Sequence, residues 1–369
     1  MTGAKRTGAE RGRVSDEPRP TDAGRVGGNR ELAGAEQEGE ECADSGTDGV
    51  RAGVERDEAT RRDSNALAAA AENPRARFLF VSGSRVAVEP GAERVLALSA
   101  GCVAPEARRR AVYLGLVDGT PYFACDAGDA DDFARDPRLV SRAIPAASRP
   151  AAVAEGDERA RSVSADFASV PLTSHLWPSV EAELAVEAVA ISNWIGGTRF
   201  CHRCGEPLSL RSGGWEMVCG RGHTVFPRVD PAVIMAVRDA EDRLLLARNG
   251  RWAPGRLSVL AGFVEAGEPL ESAVAREVLE ETGVVVDDVA YVTSQPWPFP
   301  RSLMLAFEGR TRARQEDVKV DGEELVFARF FSREEFSGAL ASGEIGLPTP
   351  TSVSARLIER WLGRPLVDV

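Results

Sequence analysis

The segment GFVEAGEPLESAVAREVLEETGV, residues 262–284, decides the fold class of this 369-residue chain. It predicts a helix over residues 269–282, because Pro269 suits a first helical position and Gly283 suits a left-handed C-terminal cap. The flanking segments alternate like strands, so the helix belongs to an α/β domain. The helix positions expected to face the core are Leu270, Val274 and Val278.

Three glutamates of this helix, Glu277, Glu280 and Glu281, stand at positions i, i+3 and i+4. Side chains at this spacing project from one patch of the helix surface, where like charges repel unless cations neutralise them. Hard divalent ions such as Mg²⁺ or Mn²⁺ bind carboxylate oxygens and bridge phosphate oxygens, which favours attack of water on phosphorus. A solvated acidic helix face is the alternative interpretation of the glutamates alone.

The complete string is more specific, since Gly262, Glu268 and residues 276–284 resemble the fixed positions of the Nudix box. The resemblance implies an α/β/α sandwich with the catalytic metals on the box helix, held by the three glutamates. It also implies that Arg276 pairs with Glu268 and so fixes the loop to the helix. One glutamate of the set would act as general base, and the sequence does not select which one.

A second cluster, CHRCGEPLSLRSGGWEMVCGRGH, covers residues 201–223 and combines Cys-x2-Cys with a later cysteine and histidine. Thiolates at this spacing favour tetrahedral Zn²⁺ with no open position, hence one structural zinc per chain. Zinc ribbons of NADH pyrophosphatases resemble this cluster but usually carry a second Cys-x2-Cys, where this chain has Gly222 followed by His223. The alternatives are His202 as the fourth ligand, or free reduced thiols. The expected ligands are Cys201, Cys204, Cys219 and His223.

The string SQPWPFPRS, residues 294–302, is similar to the signature of the NADH pyrophosphatase branch of the Nudix family. Its local alternative is a rigid proline-rich loop whose aromatic side chains only pack. With FPRVDPAVI at 226–234 and the cysteine cluster, the resemblance covers residues 200–369 and, more weakly, the chain from Arg77.

This resemblance implies an enzyme that hydrolyses the pyrophosphate bond of NADH or NAD⁺, giving NMN(H) and AMP. One alternative is removal of the NAD cap from RNA 5′ ends by the same chemistry. A second alternative, of another class, is a non-catalytic nucleotide-binding regulator. Its usual sign is a broken box, and the box of this chain is intact.

The resemblance also implies roles for individual side chains around the substrate. Phe263 would stack on a base or on the nicotinamide, and Phe226 would reach the ligand, in a homodimer from the partner copy. Gln295 and Ser302 would contact the substrate through polar atoms. Ser354 stands where the family commonly has alanine, and its small side chain is expected to preserve the pocket.

A distal acidic residue completes the implied metal site. Glu324, in EELVFARFF, matches the acidic residue that joins the metals in this branch. Its neighbour Glu323 leaves open which of the two faces the metals. The implied catalytic carboxylates and Mg²⁺ or Mn²⁺ ligands are Glu277, Glu280, Glu281 and Glu324.

The rest of the chain sets the domain organisation. The first aromatic residue is Phe78, and the polar segment before it predicts a disordered tail or an over-extended start, with a regulatory tail as the alternative. Strand-like alternation from Arg77 and helical spacing over residues 179–195 predict an N-terminal α+β domain. The predicted parts are a tail over 1–76, the α+β domain over 77–197, the zinc ribbon over 198–228 and the catalytic domain over 229–369.

The composition excludes some classes of partner and compartment. The formal net charge of −12 gives no electrostatic footprint for non-specific nucleic-acid binding, so any RNA contact must be local. No apolar run reaches the roughly 20 residues of a membrane helix, and the N-terminus has no signal-peptide pattern. Three of the six cysteines lie in one short stretch, which is typical of metal binding in a reducing compartment. These features predict a cytoplasmic protein without a membrane partner.

Overall fold

The structure, a computed structural model, describes residues 53–128 and 166–366. The first part of the described chain is a domain built on a six-stranded sheet. Its strands are β1 (Arg77–Ser82), β2 (Arg85–Val88), β3 (Leu98–Ser99), β4 (Val112–Val117), β5 (Thr120–Asp126) and β6 (Asp166–Ser169). Its helices are α1 (Glu58–Arg62), α2 (Ser64–Glu72), α3 (Pro105–Arg110), α4 (Val170–Thr173) and α5 (Ser179–Gly197). The strand order is β4-β5-β1-β2-β6, with β3 paired to β1.

The predicted tail is corrected by the position of α1 and α2. Residues 1–52 lie outside the described residues, but residues from Gly53 on belong to the N-terminal domain. Tyr113 Oη donates to Asp57 Oδ2 at 2.7 Å, and Glu55 exchanges two backbone hydrogen bonds with Leu116, each 2.8 Å. Val54 is fully buried against this sheet. Composition alone missed this segment, because its anchors are polar caps and backbone pairing, not aromatic residues.

The predicted helix over residues 179–195 is confirmed as α5, which ends two residues later. Its buried face carries Leu184, Ala188 and Ile191, as the helical spacing indicated. Strands β4 and β5 form a hairpin around the turn at Asp118-Gly119. The N-terminal domain therefore has the predicted α+β character.

The cysteine cluster lies beside a small three-stranded sheet that packs on the N-terminal domain. Its strands are β7 (Leu208–Arg211), β8 (Glu216–Cys219) and β9 (Thr224–Val225), in the order β7-β8-β9. Met217 is 3% exposed and belongs to the core of the N-terminal domain. Trp215 Nε1 donates to the backbone oxygen of Tyr113 at 2.8 Å. The sheet β7-β8-β9 is thus stabilised by contacts of Met217 and Trp215 with the N-terminal domain.

The C-terminal domain is an α/β/α sandwich, as predicted. Its strands are β10 (Asp230–Arg238), β11 (Leu244–Asn249), β12 (Leu260–Phe263), β13 (Asp287–Trp297), β14 (Ser302–Arg310) and β15 (Leu325–Phe331). Its helices are α6 (Leu270–Thr282), α7 (Arg333–Ala341) and α8 (Val353–Leu362). The strand order is β13-β14-β10-β11-β15, with β12 on β10. Side chains of α6 share one core with one face of the sheet, and those of α7 and α8 share another core with the opposite face.

Helix α6 has the predicted bounds to within one residue. Pro269 is the N-cap with extended ψ of 151°, so the first helical residue is Leu270 and not the proline. At the other end Gly283 has φ of 71° and donates to the backbone oxygen of Leu279 at 2.8 Å. These caps fix how far the helix reaches past the sheet and hence where its carboxylates lie. Among the described helices, none is long and apolar enough to cross a membrane.

Candidate active site

The glutamates of α6 differ in exposure although they share one helix face. Glu281 is 7% exposed, whereas the Glu280 side chain is 61% exposed and the Glu277 side chain 14%. The face they share turns from the core toward solvent, since Val278 on the same helix is fully buried. The carboxylates thus form a row along the helix that runs from the exposed Glu280 through Glu277 to the buried Glu281.

Glycine at position 262 permits the approach of Glu277 to strand β12. A Cβ atom built on Gly262 would lie only 1.9 Å from Glu277 Cδ, so any larger residue would displace this carboxylate. The box position that the sequence indicated as fixed thus has a steric cause. The strand and the helix meet with no side chain between them.

Arg276 connects the box loop with the box helix, as the resemblance implied. Its Nε donates to Glu268 Oε1 at 2.8 Å and its Nη2 donates to Glu268 Oε2 at 3.0 Å. The pair with Arg276 lowers the pKa of Glu268. Nη1 of the same guanidinium reaches both Glu277 Oε1 at 3.0 Å and Glu280 Oε2 at 3.1 Å. Arg276 therefore orients the carboxylates of Glu277 and Glu280 through hydrogen bonds from its guanidinium group.

Glu281 forms the enclosed end of this row, and the exposed residue Glu324 lies beside it. Burial, followed by the charges of Glu324 and Glu277, raises the pKa of Glu281 to about 8. Glu324 also contributes to the raised pKa of Glu277, after burial as the main cause. Glu281 Oε2 is buried and has no hydrogen-bond partner among the described residues. Two carboxyl groups whose pKa is raised by burial and by neighbouring carboxylates, one of them with an unpartnered buried oxygen, fit a divalent cation with oxygen ligands.

The structure distinguishes Glu323 from Glu324, the two glutamates that directly precede β15, by their contacts with the box carboxylates. Glu324 Oε1 accepts a hydrogen bond of 3.3 Å from Asn249 Nδ2 and its charge acts on both Glu277 and Glu281. Glu323 is exposed and has no such contact among the described residues. Glu324 is thus the one that lies next to the box carboxylates. Asn249, which the sequence analysis missed, holds it there.

A slot of about 270 Å³ opens beside Glu281 and Glu324. Its walls are mainly apolar and include two indole rings, and its floor carries two hydroxyl groups. Ser258 Oγ and Ser354 Oγ lie 2.7 Å apart, and both residues are buried. A slot of this character suits a flat heteroaromatic ring. Its lining includes Ile234, Trp252, Ser258, Trp297, Met304 and Ser354.

Gln295 lines the slot, and both polar atoms of its side-chain amide form hydrogen bonds to the protein backbone. Its Nε2 donates to the backbone oxygen of Thr351 at 2.6 Å, and its Oε1 accepts from the Val353 backbone N–H at 2.7 Å. These two hydrogen bonds tie β13 to the first turn of α8, and the contact of Gln295 with substrate stays a prediction. Gln295 positions the slot wall that Ser354 belongs to.

Two other expected substrate contacts lie away from the slot. Ser302 starts β14 and lines a separate cavity between α5 and β13, so the structure does not bring it to the carboxylates. Phe263 and Phe226 are each 60% exposed and do not line the slot. Phe263 ends β12 directly before the box loop, and its backbone oxygen accepts from Arg276 at 3.0 Å. Its ring is exposed to solvent.

The cysteine cluster has the geometry of a tetrahedral metal site. The ligand atoms of Cys201, Cys204, Cys219 and His223 all lie within 4.8 Å of one another. Cys204 Sγ and Cys219 Sγ are 3.7 Å apart, close to the ~3.8 Å edge of a tetrahedron with Zn–S bonds of ~2.3 Å. His223 Nδ1 lies 3.6 Å from Cys201 Sγ, whereas His202 is outside the group. The predicted four-residue set is therefore brought together and can hold a metal ion.

Comparison with known proteins agrees with this architecture. A model of the NUDIX domain matches residues 228–348. The NAD-capped RNA hydrolase NudC of Mycobacterium bovis is 37% identical over 321 residues, which cover 84% of this chain and 93% of that protein. The chain therefore belongs to the Nudix hydrolase family. Within it, the chain belongs to the NudC type, since this likeness extends over the N-terminal domain and the cysteine cluster as well.

Two further proteins are similar over part of the chain. The NAD-capped RNA hydrolase NUDT12 of Macaca fascicularis is 38% identical over 195 residues, 49% of this chain and 42% of that protein. The crystal structure of a NUDIX hydrolase from Nitrosomonas europaea is 22% identical, with a TM-score of 0.35 over 45% of this chain and 94% of that chain. The comparison with NUDT12 fits the family membership stated above.

Proposed function

We propose that this protein hydrolyses the pyrophosphate bond of NADH or NAD⁺, giving NMN(H) and AMP. The observation that carries the proposal is the ring-sized slot that ends at the carboxylates of Glu281 and Glu324. A dinucleotide needs a place for each ring and a charged site between them. The slot supplies one ring site, and the exposed ring of Phe263 supplies a surface on which the other can stack.

The carboxylates are proposed to hold Mg²⁺ or Mn²⁺. The proposed ligands are Glu277, Glu280, Glu281 and Glu324. A metal bound there supplies Lewis-acid polarisation of the pyrophosphate and lowers the pKa of the attacking water. The chain's own part is orientation: Arg276 fixes the outer glutamates and Asn249 fixes Glu324. The apolar walls of the slot exclude bulk water from one side of the reacting bond.

The cysteine cluster is proposed to hold one structural zinc per chain. Its four ligand atoms close the coordination shell, so no position is left for substrate. Met217 and Trp215 link the zinc-bearing sheet to the N-terminal domain, which supports a scaffolding role. We also propose a homodimer in the cytoplasm, since Phe226 is an exposed aromatic residue without a place in its own slot and the cysteine usage suits a reducing compartment.

Removal of the NAD cap from RNA 5′ ends is the second candidate function. The relatives from Mycobacterium bovis and Macaca fascicularis are both described as NAD-capped RNA hydrolases. The bond that breaks is the same, so the carboxylate site serves both substrates equally. Only the part of the molecule that meets the RNA chain can distinguish them.

Product analysis across a panel of substrates tests the proposal. NADH, NAD⁺, ADP-ribose, Ap4A and NAD-capped RNA are compared with the purified full chain and Mg²⁺ or Mn²⁺. We expect higher kcat/KM for NADH than for ADP-ribose or Ap4A, with NMNH and AMP as products and no free nicotinamide. Equal or better efficiency on ADP-ribose would contradict the assignment of NADH while leaving Nudix chemistry intact.

A substitution at Phe263 tests the proposed stacking contact with the substrate. Phe263→Ala should lower the preference for NADH over ADP-ribose by about three- to tenfold, because one stacked aromatic pair contributes about 0.5–1.5 kcal/mol. Tyr291→Ala, which removes an equally exposed ring outside the site, is the matched control. A Phe263 variant with unchanged preference would remove this residue from the substrate site.

A further inference from the structure

Two buried serine hydroxyl groups, called here the serine pair, face each other on the floor of the slot. Ser258 is 9% exposed and Ser354 4%, and their Oγ atoms lie 2.7 Å apart. Each hydroxyl has one O–H to donate and two lone pairs that accept, so the hydrogen bond between them uses only one of the two O–H groups. Among the described residues neither hydroxyl has a further hydrogen-bond partner. The serine pair therefore offers one free O–H next to an oxygen with free lone pairs.

The backbone fixes the positions of both hydroxyl groups. Ser258 exchanges two backbone hydrogen bonds with Ala247, of 3.0 and 2.9 Å. Ser354 lies in the first turn of α8, where the N–H of the preceding residue Val353 donates to Gln295 Oε1 at 2.7 Å. The chain neighbours of both serines belong to one buried apolar cluster. Because both residues are anchored in this way, the fold itself holds the two oxygens side by side.

Two neighbouring polar side chains of the slot are engaged with the backbone. Gln295 uses both polar atoms of its amide in hydrogen bonds to backbone groups. Ser352 Oγ donates to the backbone oxygen of Thr349 at 2.8 Å and accepts from the Ala355 N–H at 3.3 Å. The serine pair, in contrast, has an O–H and lone pairs left for a ring that enters the slot. A ring that leaves them without a partner binds less tightly.

The chemistry of the serine pair matches a ring edge that carries an acceptor next to an N–H donor. The carboxamide of nicotinamide has such an edge, and so has adenine, whose amino group stands next to an acceptor nitrogen. One serine donates to the other, the second donates to the acceptor of the ring, and the N–H of the ring donates to the first serine. These three hydrogen bonds form a closed cycle in which the free O–H and the accepting oxygen both have partners. A ring without the N–H cannot close the cycle.

We propose that Ser258 and Ser354 determine the specificity of the slot by recognising a ring edge with an acceptor beside an N–H donor. The inference rests on the proposed function, because it concerns the ring of the dinucleotide that occupies this slot. A ring that offers acceptors alone leaves the oxygen of one serine facing another lone pair. Such a ring is disfavoured even when its size and shape are suitable.

Two analogues of NAD⁺ that each lack one N–H donor test the inference. The acetylpyridine analogue carries a methyl group in place of the amide nitrogen of nicotinamide, and the purine analogue carries hydrogen in place of the amino group of adenine. For the wild-type full chain with Mg²⁺ or Mn²⁺, we expect kcat/KM for NAD⁺ to exceed that for one of the analogues by about tenfold or more. In Ser258→Ala/Ser354→Ala this preference should fall below about threefold, while the preference over the other analogue stays as in the wild type. The analogue whose discrimination is lost identifies the ring that occupies the slot.

The double variant should fold, because replacing both partners of a buried hydrogen bond by apolar groups of similar shape changes stability little. A thermal melt checks this. Ser337→Ala, which removes a serine hydroxyl from α7 outside the lining of the slot, is the matched control. It should keep both preferences of the wild type.

The outcomes separate this inference from the proposed function. A wild-type chain that cleaves NAD⁺ and both analogues equally well would overturn the inference alone. An equal fall in kcat/KM for all three dinucleotides in the folded double variant would overturn it as well, because that result indicates a structural role for the serine pair. Loss of both preferences to the same extent would also contradict it, since only one ring can occupy the slot. A wild-type chain that cleaves none of the three dinucleotides would overturn the proposed function, and the inference with it.

Discussion

Glu281 is the buried glutamate of α6, and burial together with neighbouring carboxylates raises its pKa. Replacing it by glutamine removes one of several mutually repelling carboxylates from a nearly enclosed site. We expect Glu281→Gln to lower kcat by about a hundredfold or more while thermal stability stays the same or rises. Glu280→Gln should also lower kcat strongly, because this carboxylate is the exposed member of the metal set.

The control for these variants is Glu323→Gln. It removes the same charge next to Glu324 but from a side chain without contact to the box carboxylates among the described residues. Steady-state kinetics with saturating Mg²⁺ or Mn²⁺ and a thermal melt are measured for each variant. Full activity in Glu280→Gln and Glu281→Gln would refute the metal assignment.

Glu187 on α5 predicts a pH dependence of stability that is unrelated to catalysis. It is 6% exposed, and burial, opposed by Arg56 and Arg61, raises its pKa to about 7. A carboxyl whose folded pKa is raised stabilises the fold below its unfolded pKa, and this contribution is lost as the pH rises through about 7. Between pH 5 and pH 8 the wild type should therefore lose about 2–3 kcal/mol relative to Glu187→Gln.

Urea unfolding at both pH values measures this difference. Glu183→Gln, one turn earlier and more exposed, is the matched control. If wild type and Glu187→Gln change in parallel between pH 5 and pH 8, the assigned titration of Glu187 is wrong.

Which residues could be predicted from the sequence depended on the range of their contacts. The pair of Arg276 with Glu268 spans eight residues within one motif, and the motif was enough to predict it. Gln295 finds its partners 56 and 58 residues away, and Ser258 meets Ser354 across 96 residues. Contacts at that separation are set by strand order and by the packing of α8, which local patterns do not encode.

At the level of elements, helix boundaries were predictable and sheet order was not. Caps such as Gly283 act within one turn, so the ends of α6 were close to their expected positions. The parallel pairing of β10 with β14 joins strands more than sixty residues apart, and alternation alone says nothing about such partners. The family resemblance supplied the sandwich where periodicity could not.

The prediction at the level of elements concerns the sheet β7-β8-β9 beside the cysteine cluster. Its strands are two to four residues long, so we expect it to fold through its metal. Zinc should be present at about one ion per chain, and Cys204→Ser and His223→Ala should each reduce the zinc content and the melting temperature. Elemental analysis and a thermal melt check this, with His202→Ala as the control. Full zinc content in His223→Ala would move the fourth ligand elsewhere, first to His202.

For the whole molecule, the segment that precedes Phe78 is the point on which composition and structure differ. A chain that begins at residue 53 should keep its activity and melting temperature, because the segment removed has no aromatic residue to pack. A chain that begins at residue 73 loses α1, α2 and the hydrogen bond from Tyr113 to Asp57. Its melting temperature should fall by at least about 5 °C, since each kcal/mol lost costs about 2–4 °C at this size. Equal melting of the two truncated chains would show that α1 and α2 add nothing to stability.

The placement of the indole rings has an optical consequence. Of the six tryptophans, only Trp252 and Trp297 line the slot, while Trp177, Trp194 and Trp361 are buried elsewhere and Trp215 lies under the guanidinium of Arg61. A dihydronicotinamide in the slot accepts excitation energy from neighbouring indoles, so the intrinsic emission reports its arrival without any label. Trp297→Phe would dim that response and leave the background of the other rings in place. The molecule therefore carries its own spectroscopic probe of occupancy, independent of whether the bound dinucleotide is cleaved.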